Sequence, residues 1–337
     1  MLEKLFHAWE RRLAYRDDSE RRVLPFDWGA SFLGDGTLPS SKARGFVLRH
    51  AHDSLEKSDA YFRPAPVSDH RFQDGRLEFT SPLPTPHEEN NTVHGELFGV
   101  AEKGPAIVVL PQWNAQPGAQ QGLCRLLNIF GMTALKLTLP YHGQRMPSGL
   151  VRADYILSPN VGRTLYACRQ AVQEVLTVVS WLADRGYGPI GIIGTSLGSC
   201  IAFIAYAHDE RIQTGIFNHI SPYFADVVWK GLSTRHVREG LEGSIDLDAL
   251  REAWLPISPQ SYIERLRGGK RRSLLITARY DLSFPPDLSE ILVEEFDRLG
   301  APFERFILPC GHYTTAKFPF NYLDGFVMAR FLRRQLC

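Results

Sequence analysis

A serine between two glycines, Gly194-Thr195-Ser196-Leu197-Gly198, stands where one apolar run ends and another begins: Ile190-Gly191-Ile192-Ile193 precedes it and Cys200-Ile201-Ala202-Phe203-Ile204-Ala205 follows. This pattern predicts a buried strand, a sharp turn and a buried helix, in that order. The turn forces the serine backbone into a strained conformation, and side chains two residues to either side would collide, so both flanks are reduced to hydrogen. The pentapeptide alone recurs by accident in flexible loops. A strand-turn-helix context with an acid and then a histidine further along the chain is a far more specific demand. The uncharged stretch from Gly186 to Ala207 is long enough to suggest a membrane span, but Pro189 and four glycines punctuate it, which favours strand plus helix.

Downstream of about residue 91, apolar strands alternate with helical patterns, so the sheet is expected to be mainly parallel with helices on both faces, an α/β class. The expected strands are Thr92–Val100, Ala106–Leu110, Thr133–Leu139, Ile190–Thr195, Thr214–Ile220, Ser273–Ala278 and Phe303–Leu308. Val161, Leu165, Cys168, Val172, Val175, Val179 and Leu182 place one apolar stripe on a long helix closed by Gly186, with Arg163, Arg169, Gln173 and Glu174 expected to face water. Pro285 and Pro286 open a further helix that Gly300 closes, and a last helix runs from about Phe320 to Leu336. Residues 1–90 read as an N-terminal extension packed on a domain of residues 91–337. Within that domain, residues 222–270 form an aromatic-rich insertion, read as a helical lid.

A chain of 337 residues can bury a large core. Its 38 basic and 37 acidic residues leave a net charge of +1, so no global field gathers nucleic acid or an anionic membrane, and a small-molecule partner is expected. Five cysteines without a Cys-x-x-Cys spacing fit neither a disulfide framework nor a zinc site, which points to a reducing compartment. Glu3, Lys4, Glu10, Arg11 and Arg12 interrupt any apolar leader, so a cytoplasmic location without stable membrane insertion is expected. His50-Ala51-His52-Asp53 lacks a convincing third ligand, so no metal site is expected.

Ser196 needs a base, because a serine hydroxyl is a poor nucleophile unless a neighbour takes its proton. Of 11 histidines, His312 follows the strand Phe303–Leu308 and so occupies a loop at a strand's C-terminal end, where open α/β sheets place their sites. Asp281 follows the strand Ser273–Ala278 and can orient the other imidazole nitrogen; Asp287 competes, but belongs in a first helical turn, where acids are favoured anyway. His142, in Leu139-Pro140-Tyr141-His142-Gly143-Gln144-Arg145, stands on the expected rim, either lining the substrate entrance or holding a tight loop. From the insertion, Tyr223 and Trp229 are expected to contact substrate.

The elbow and the chain order Ser196, Asp281, His312 resemble the α/β-hydrolase superfamily from about residue 91 onward, and the segment around His142 is similar to its α/β-hydrolase-domain-18-like branch. The resemblance implies an α/β-hydrolase fold and a serine hydrolase, a carboxylesterase by first reading, that works through an acyl-serine intermediate without a cofactor. Ser196 would be the nucleophile, Asp281 the acid and His312 the base. The Leu197 amide would supply one oxyanion donor. Many such hydrolases carry a His-Gly pair after the equivalent of Ala106–Leu110. This chain has Pro111-Gln112-Trp113-Asn114 instead; Pro111 has no N–H, which leaves the Trp113 amide as second donor and Gln112 as reserve, the latter also a candidate substrate contact. An amidase or peptidase of the same fold, and a non-catalytic small-molecule-binding protein, are the alternatives.

Overall fold

The computed structural model describes residues 2–16, 20–34, 38–99 and 103–337. Strands β1 (Arg71–Gln73), β2 (Arg76–Thr80), β3 (Thr92–Phe98), β4 (Gly104–Leu110), β5 (Thr133–Leu137), β6 (Tyr187–Thr195), β7 (Ile212–Asn218), β8 (Ser273–Ala278) and β9 (Phe303–Leu308) form one sheet. Their spatial order is β1-β2-β3-β5-β4-β6-β7-β8-β9. The first three strands and the β3–β5 pair are antiparallel; from β5 to β9 every pairing is parallel. The chain steps from β4 outward to β5 and then back across to β6, so the crevice between the carboxyl ends of β4 and β6 is the topological switch point, where such sheets bind ligands. Ser196 follows β6 there.

Helices cover both faces because the central strands alternate sides residue by residue. Ala106, Val108 and Leu110 of β4 pack into one apolar cluster with the helices α5 (Val161–Asp184) and α6 (Leu197–His208). Ile107 and Val109 pack into the other, with α4 (Gln121–Ile129) and α11 (Phe320–Leu336). The remaining helices are α1 (Leu2–Ala14), α2 (Ser40–Glu56), α3 (Ser58–Phe62), α7 (Phe224–Lys230), α8 (Arg235–Leu241), α9 (Leu247–Ala253) and α10 (Pro286–Leu299). Among the described residues no helix is long and apolar enough to cross a membrane.

Three differences from the sequence expectation have physical causes. Residues 71–80 contribute β1 and β2 to the same sheet as β3: Leu77 and Phe79 are buried while Arg76 and Thr80 are exposed, and the two strands turn through Asp74 and Gly75, both at positive φ, as a two-residue hairpin turn requires. β7 ends at Asn218 rather than Ile220, because His219 turns to φ 56°. The polar side of α5 does not face water. Gln173 and Glu174 are buried: Arg169 Nε and Gln173 Nε2 donate to the Tyr61 carbonyl, and Glu174 receives a two-pronged contact from Arg145, both side chains fully buried. The N-terminal segment thus lies over that face and supplies part of its polar partners, through the Tyr61 carbonyl and Ser81 Oγ, while Arg145 supplies the rest. The strand expected at Thr92–Val100 stops at Phe98, and Val100 lies outside the described residues.

Residues 222–270 form a helical insertion between β7 and β8, comprising α7, α8, α9 and 3₁₀ turns at Leu255–Ile257 and Pro259–Leu266. It is anchored by Trp254, fully buried, whose ring meets Phe224 edge-on at 5.4 Å and whose Nε1 donates to the Val161 carbonyl at 3.1 Å.

Candidate active site

Ser196 sits between β6 and α6 with φ 56° and ψ −120°, a combination costing a non-glycine residue about 1–3 kcal/mol unless the surroundings enforce it. The two glycines explain the enforcement. A Cβ on Gly194 would lie 2.1 Å from the Gly198 carbonyl oxygen, and one on Gly198 would lie 2.5 Å from the Pro111 carbonyl oxygen, so strand, helix and the β4 loop close on each other only with hydrogen at both positions. Backbone bonds fix the turn: Ser196 N donates to the Asn218 carbonyl at 2.8 Å, and Ser199 N donates to the Ser196 carbonyl at 2.8 Å.

Asp281 and His312 are brought together by backbone pairing that continues past the ends of β8 and β9. Arg279 N donates to the Leu308 carbonyl at 3.0 Å and Tyr280 N to the Cys310 carbonyl at 2.9 Å, which sets the two loops side by side. Asp281 Oδ2 then lies 3.1 Å from His312 Nδ1. Its Oδ1 accepts from Ser283 N and Phe284 N, each at 2.7 Å. Burial opposes the carboxylate charge, but the His312 and His219 rings outweigh it and hold Asp281 well below the usual carboxylate range. At His312 burial likewise opposes the imidazolium, yet the Asp281 charge and hydrogen bond, with a further contribution from Glu10, raise its pKa above the ordinary histidine value. The Phe284 ring lies parallel to the imidazole at a centroid distance of 5.3 Å and fixes its plane. Among the described residues no hydrogen bond joins the Ser196 hydroxyl to His312; such contacts often tighten only when substrate is bound.

Sequence reasoning missed His219. Its Nδ1 lies 2.9 Å from Asp281 Oδ2, so one carboxylate oxygen serves two imidazoles. Burial lowers the His219 pKa despite that bond, so the neutral ring donates from Nδ1. Its place at a strand's carboxyl end was a readable signal, hidden by extending that strand to Ile220. These three side chains are also the one group among the described residues with metal-ligand spacing, but Asp281 Oδ2 lies at hydrogen-bond distance from both ring nitrogens, which the carboxylate–imidazole bonding accounts for.

A small cavity of about 30 Å³ opens at the serine, lined by Trp113, Leu157, Ser196, Leu197, Cys200, Phe224, Val227, Val228, Ser233, Thr234 and Phe284. The insertion reaches this cavity through Phe224, Val227 and Val228, one face of α7 at helical spacing. Tyr223, which precedes α7, and Trp229, both expected as substrate contacts, are not part of the lining; Arg251 lies over the Tyr223 ring and Arg238 over the Trp229 ring. Gln112 is outside the lining as well, its Oε1 accepting from Gln120 Nε2 at 3.3 Å.

Trp113 is a wall of the cavity, its indole donating to the Ala153 carbonyl at 2.9 Å and lying flat against His236 at 5.6 Å. Among the described residues the Trp113 and Leu197 amides donate to no protein acceptor. His142 does not reach the serine cavity. Its Nδ1 faces the Pro140 carbonyl at 2.9 Å and its Nε2 accepts from Asn114 N at 2.9 Å, so both nitrogens are spent on holding the loop that carries Trp113. Burial pushes the ring's pKa down to about 4, which keeps it neutral and able to accept. A larger cavity of about 320 Å³, with His142 on its wall, is lined in part by residues of β2, β3 and β5, among them Lys136, paired with Glu96 at 2.8 Å, and His94, whose Nδ1 lies 3.1 Å from Glu78 Oε1.

Comparison with known proteins bears on the fold. Residues 123–273, less than half of the chain, match the family described as alpha/beta hydrolase domain containing 18; the match includes Ser196 but stops before Asp281 and His312. Among solved structures, an acetyl xylan esterase from Paenibacillus sp. R4 superposes with a TM-score of 0.60 at 14% identity, covering 93% of this chain and 100% of that one. An esterase from Pyrococcus furiosus gives 0.55 at 15% identity, covering 82% and 98%. An acylaminoacyl peptidase from Pyrococcus horikoshii gives 0.57 at 16% identity, covering 81% of this chain but only 42% of that enzyme's length. The fold is therefore the α/β-hydrolase fold, resembled also at the level of a family model, with structural neighbours that are esterases and a peptidase.

Proposed function

We propose that the protein is a serine hydrolase that cleaves a carboxylic ester carrying a short acyl group. The observation that carries this reading is a strained, buried serine lining an apolar cavity whose wall includes Phe284, the ring that stacks on the imidazole of the Asp281–His312 pair. Ser196 Oγ attacks the ester carbonyl as His312 Nε2 takes its proton, and Asp281 steadies the imidazolium from Nδ1. The amides of Leu197, at the amino end of α6, and of Trp113 hold the oxyanion; each such donor is worth about 3–4 kcal/mol of barrier in favourable cases. Collapse expels the alcohol with the proton from Nε2, leaving acyl-Ser196. Water then attacks the acyl carbon as His312 takes its proton, and on collapse His312 returns that proton to Ser196 Oγ while the carboxylic acid departs.

The lining argues for a short acyl group: the cavity is small, about 30 Å³, and Phe224, Val227, Val228 and Phe284 border it with apolar side chains. A series of p-nitrophenyl esters tests this directly. Acetate is expected to turn over fastest, with kcat/KM falling as the chain lengthens, and Ser196→Ala is expected to abolish all of it. Fastest turnover of octanoate would overturn the short-acyl assignment, and preference for an anilide would favour the amidase reading.

A further inference from the structure

The helix α1 is built inside out. Leu2 and Leu5 are 58% and 63% exposed, whereas Glu10, a charged residue, is fully buried. Burial of a carboxylate is costly unless every lone pair finds a donor. Glu10 finds three, all on the loop that carries His312: Oε2 accepts from Tyr313 N at 2.9 Å, and Oε1 accepts from Thr314 N and Thr314 Oγ1, each at 2.8 Å. Gly311 makes room for this approach, since a Cβ there would lie 2.5 Å from the Glu10 carboxyl carbon. One turn earlier on α1, Phe6 stacks on Tyr280 at 4.6 Å and 10°, next to Asp281. The helix therefore holds both the acid loop and the base loop.

We propose that Glu10 is a positioning residue for the hydrolytic site, its carboxylate fixing the loop of residues 311–315 that carries His312. This rests on the serine-hydrolase reading. The charged and titratable groups around His312 are Asp281 after β8, His219 after β7, Glu10 on α1, which acts on its charge, and, on its own loop, Tyr313, whose hydroxyl accepts from Arg21 at 3.2 Å. Asp281 dominates, and Glu10 adds to it in the same direction. Gly311, directly before His312, thus admits a partner from the other end of the chain.

The test measures kcat and the acidic limb of kcat/KM against pH, which reports the base in the free enzyme. It compares the full-length protein with Glu10→Gln and Glu10→Asp. Glu10→Gln removes the charge and turns an amide N–H₂ toward backbone donors, so kcat is expected to fall roughly ten- to a hundredfold, the scale of a small misplacement of a catalytic group. Its acidic limb is expected to move to lower pH. Glu10→Asp keeps the charge but shortens the reach, so kcat is expected to fall while the limb stays nearer the parent's. A Glu10→Gln protein with the parent's kcat and limb would overturn the proposal, as would equal limb shifts in the two variants. If Glu10→Gln fails to fold, the Glu10→Asp profile decides: a limb displaced to lower pH overturns the proposal. Phosphonylation of Ser196 in the parent is scored separately, so a parent that does not react refutes the hydrolase reading and leaves a result distinct from failure at Glu10.

Discussion

Gly194→Ala should disable the site while leaving most of the fold in place. The added methyl would sit 2.1 Å from the Gly198 oxygen, 2.5 Å from the Gly198 carbonyl carbon and 2.6 Å from the Ser199 Cα, all inside the 3.0 Å that real Cβ atoms keep, the first by almost 1 Å. All three atoms are backbone in the first turn of α6, so no rotamer change relieves the clash; the elbow must open by about that distance. Overpacking of this kind costs about 1–3 kcal/mol of stability. A displacement near 1 Å at a reacting group costs about a hundredfold in rate. The assay is kcat/KM for p-nitrophenyl acetate per folded molecule, with urea unfolding alongside. Gly122→Ala is the control: it lies in α4 with nothing within 4 Å of the added Cβ, so activity should be unchanged and stability should rise by about 0.5–1 kcal/mol. A Gly194→Ala protein within threefold of parental activity would refute the claim that the elbow's geometry is set by this contact.

Asp281→Asn leaves one acceptor oxygen where four donors converge, and kcat should fall by about 10³–10⁴, measured on the acetate ester; a loss under tenfold would mean that the carboxylate does not orient the base. Beneath the elbow, burial pushes the Asp324 carboxyl up to about 7. Asn218 Nδ2 donates to its Oδ2 at 2.9 Å, while Asp324 Oδ1 and Asn218 Oδ1 are both buried without partners among the described residues, the arrangement a proton on Oδ1 would satisfy. The unfolded carboxyl releases its proton near pH 4 and the folded one near 7, so the stability this group contributes is full below pH 4 and lost as pH rises to 7. Asp324→Asn keeps a donor on that side, and its urea midpoint should match the parent's at pH 4 and exceed it at pH 8; an equal difference at both pH values would contradict the assignment.

The strand ends that carry the candidate site were legible because they obey local rules. The apolar runs around Ser196 fixed a strand and a helix, and the positions of Asp281 and His312 just past two strands followed from the same alternation. What stayed hidden depends on long-range contact. No local pattern marks Glu10, which stands among charged neighbours on α1 and is buried only because a loop 300 residues away offers it three donors. The water-facing reading of Glu174 failed for the same reason, its partner Arg145 lying on a different element. Tyr223 and Trp229 were drawn toward the substrate by aromatic character alone, whereas the helical phase of α7 turns Phe224, Val227 and Val228 to the cavity instead. The hairpin of β1 and β2 was readable from Asp74-Gly75 between alternating residues, and was passed over because proline-rich sequence surrounds it.

The most direct test of the central claim is to titrate the protein with a fluorophosphonate and locate the adduct by mass spectrometry of its peptides. The account predicts one phosphonyl group per chain, carried on Ser196, with loss of ester hydrolysis in proportion to labelling and no labelling of Ser196→Ala. Undiminished hydrolysis by Ser196→Ala, or an adduct on another residue, would contradict it.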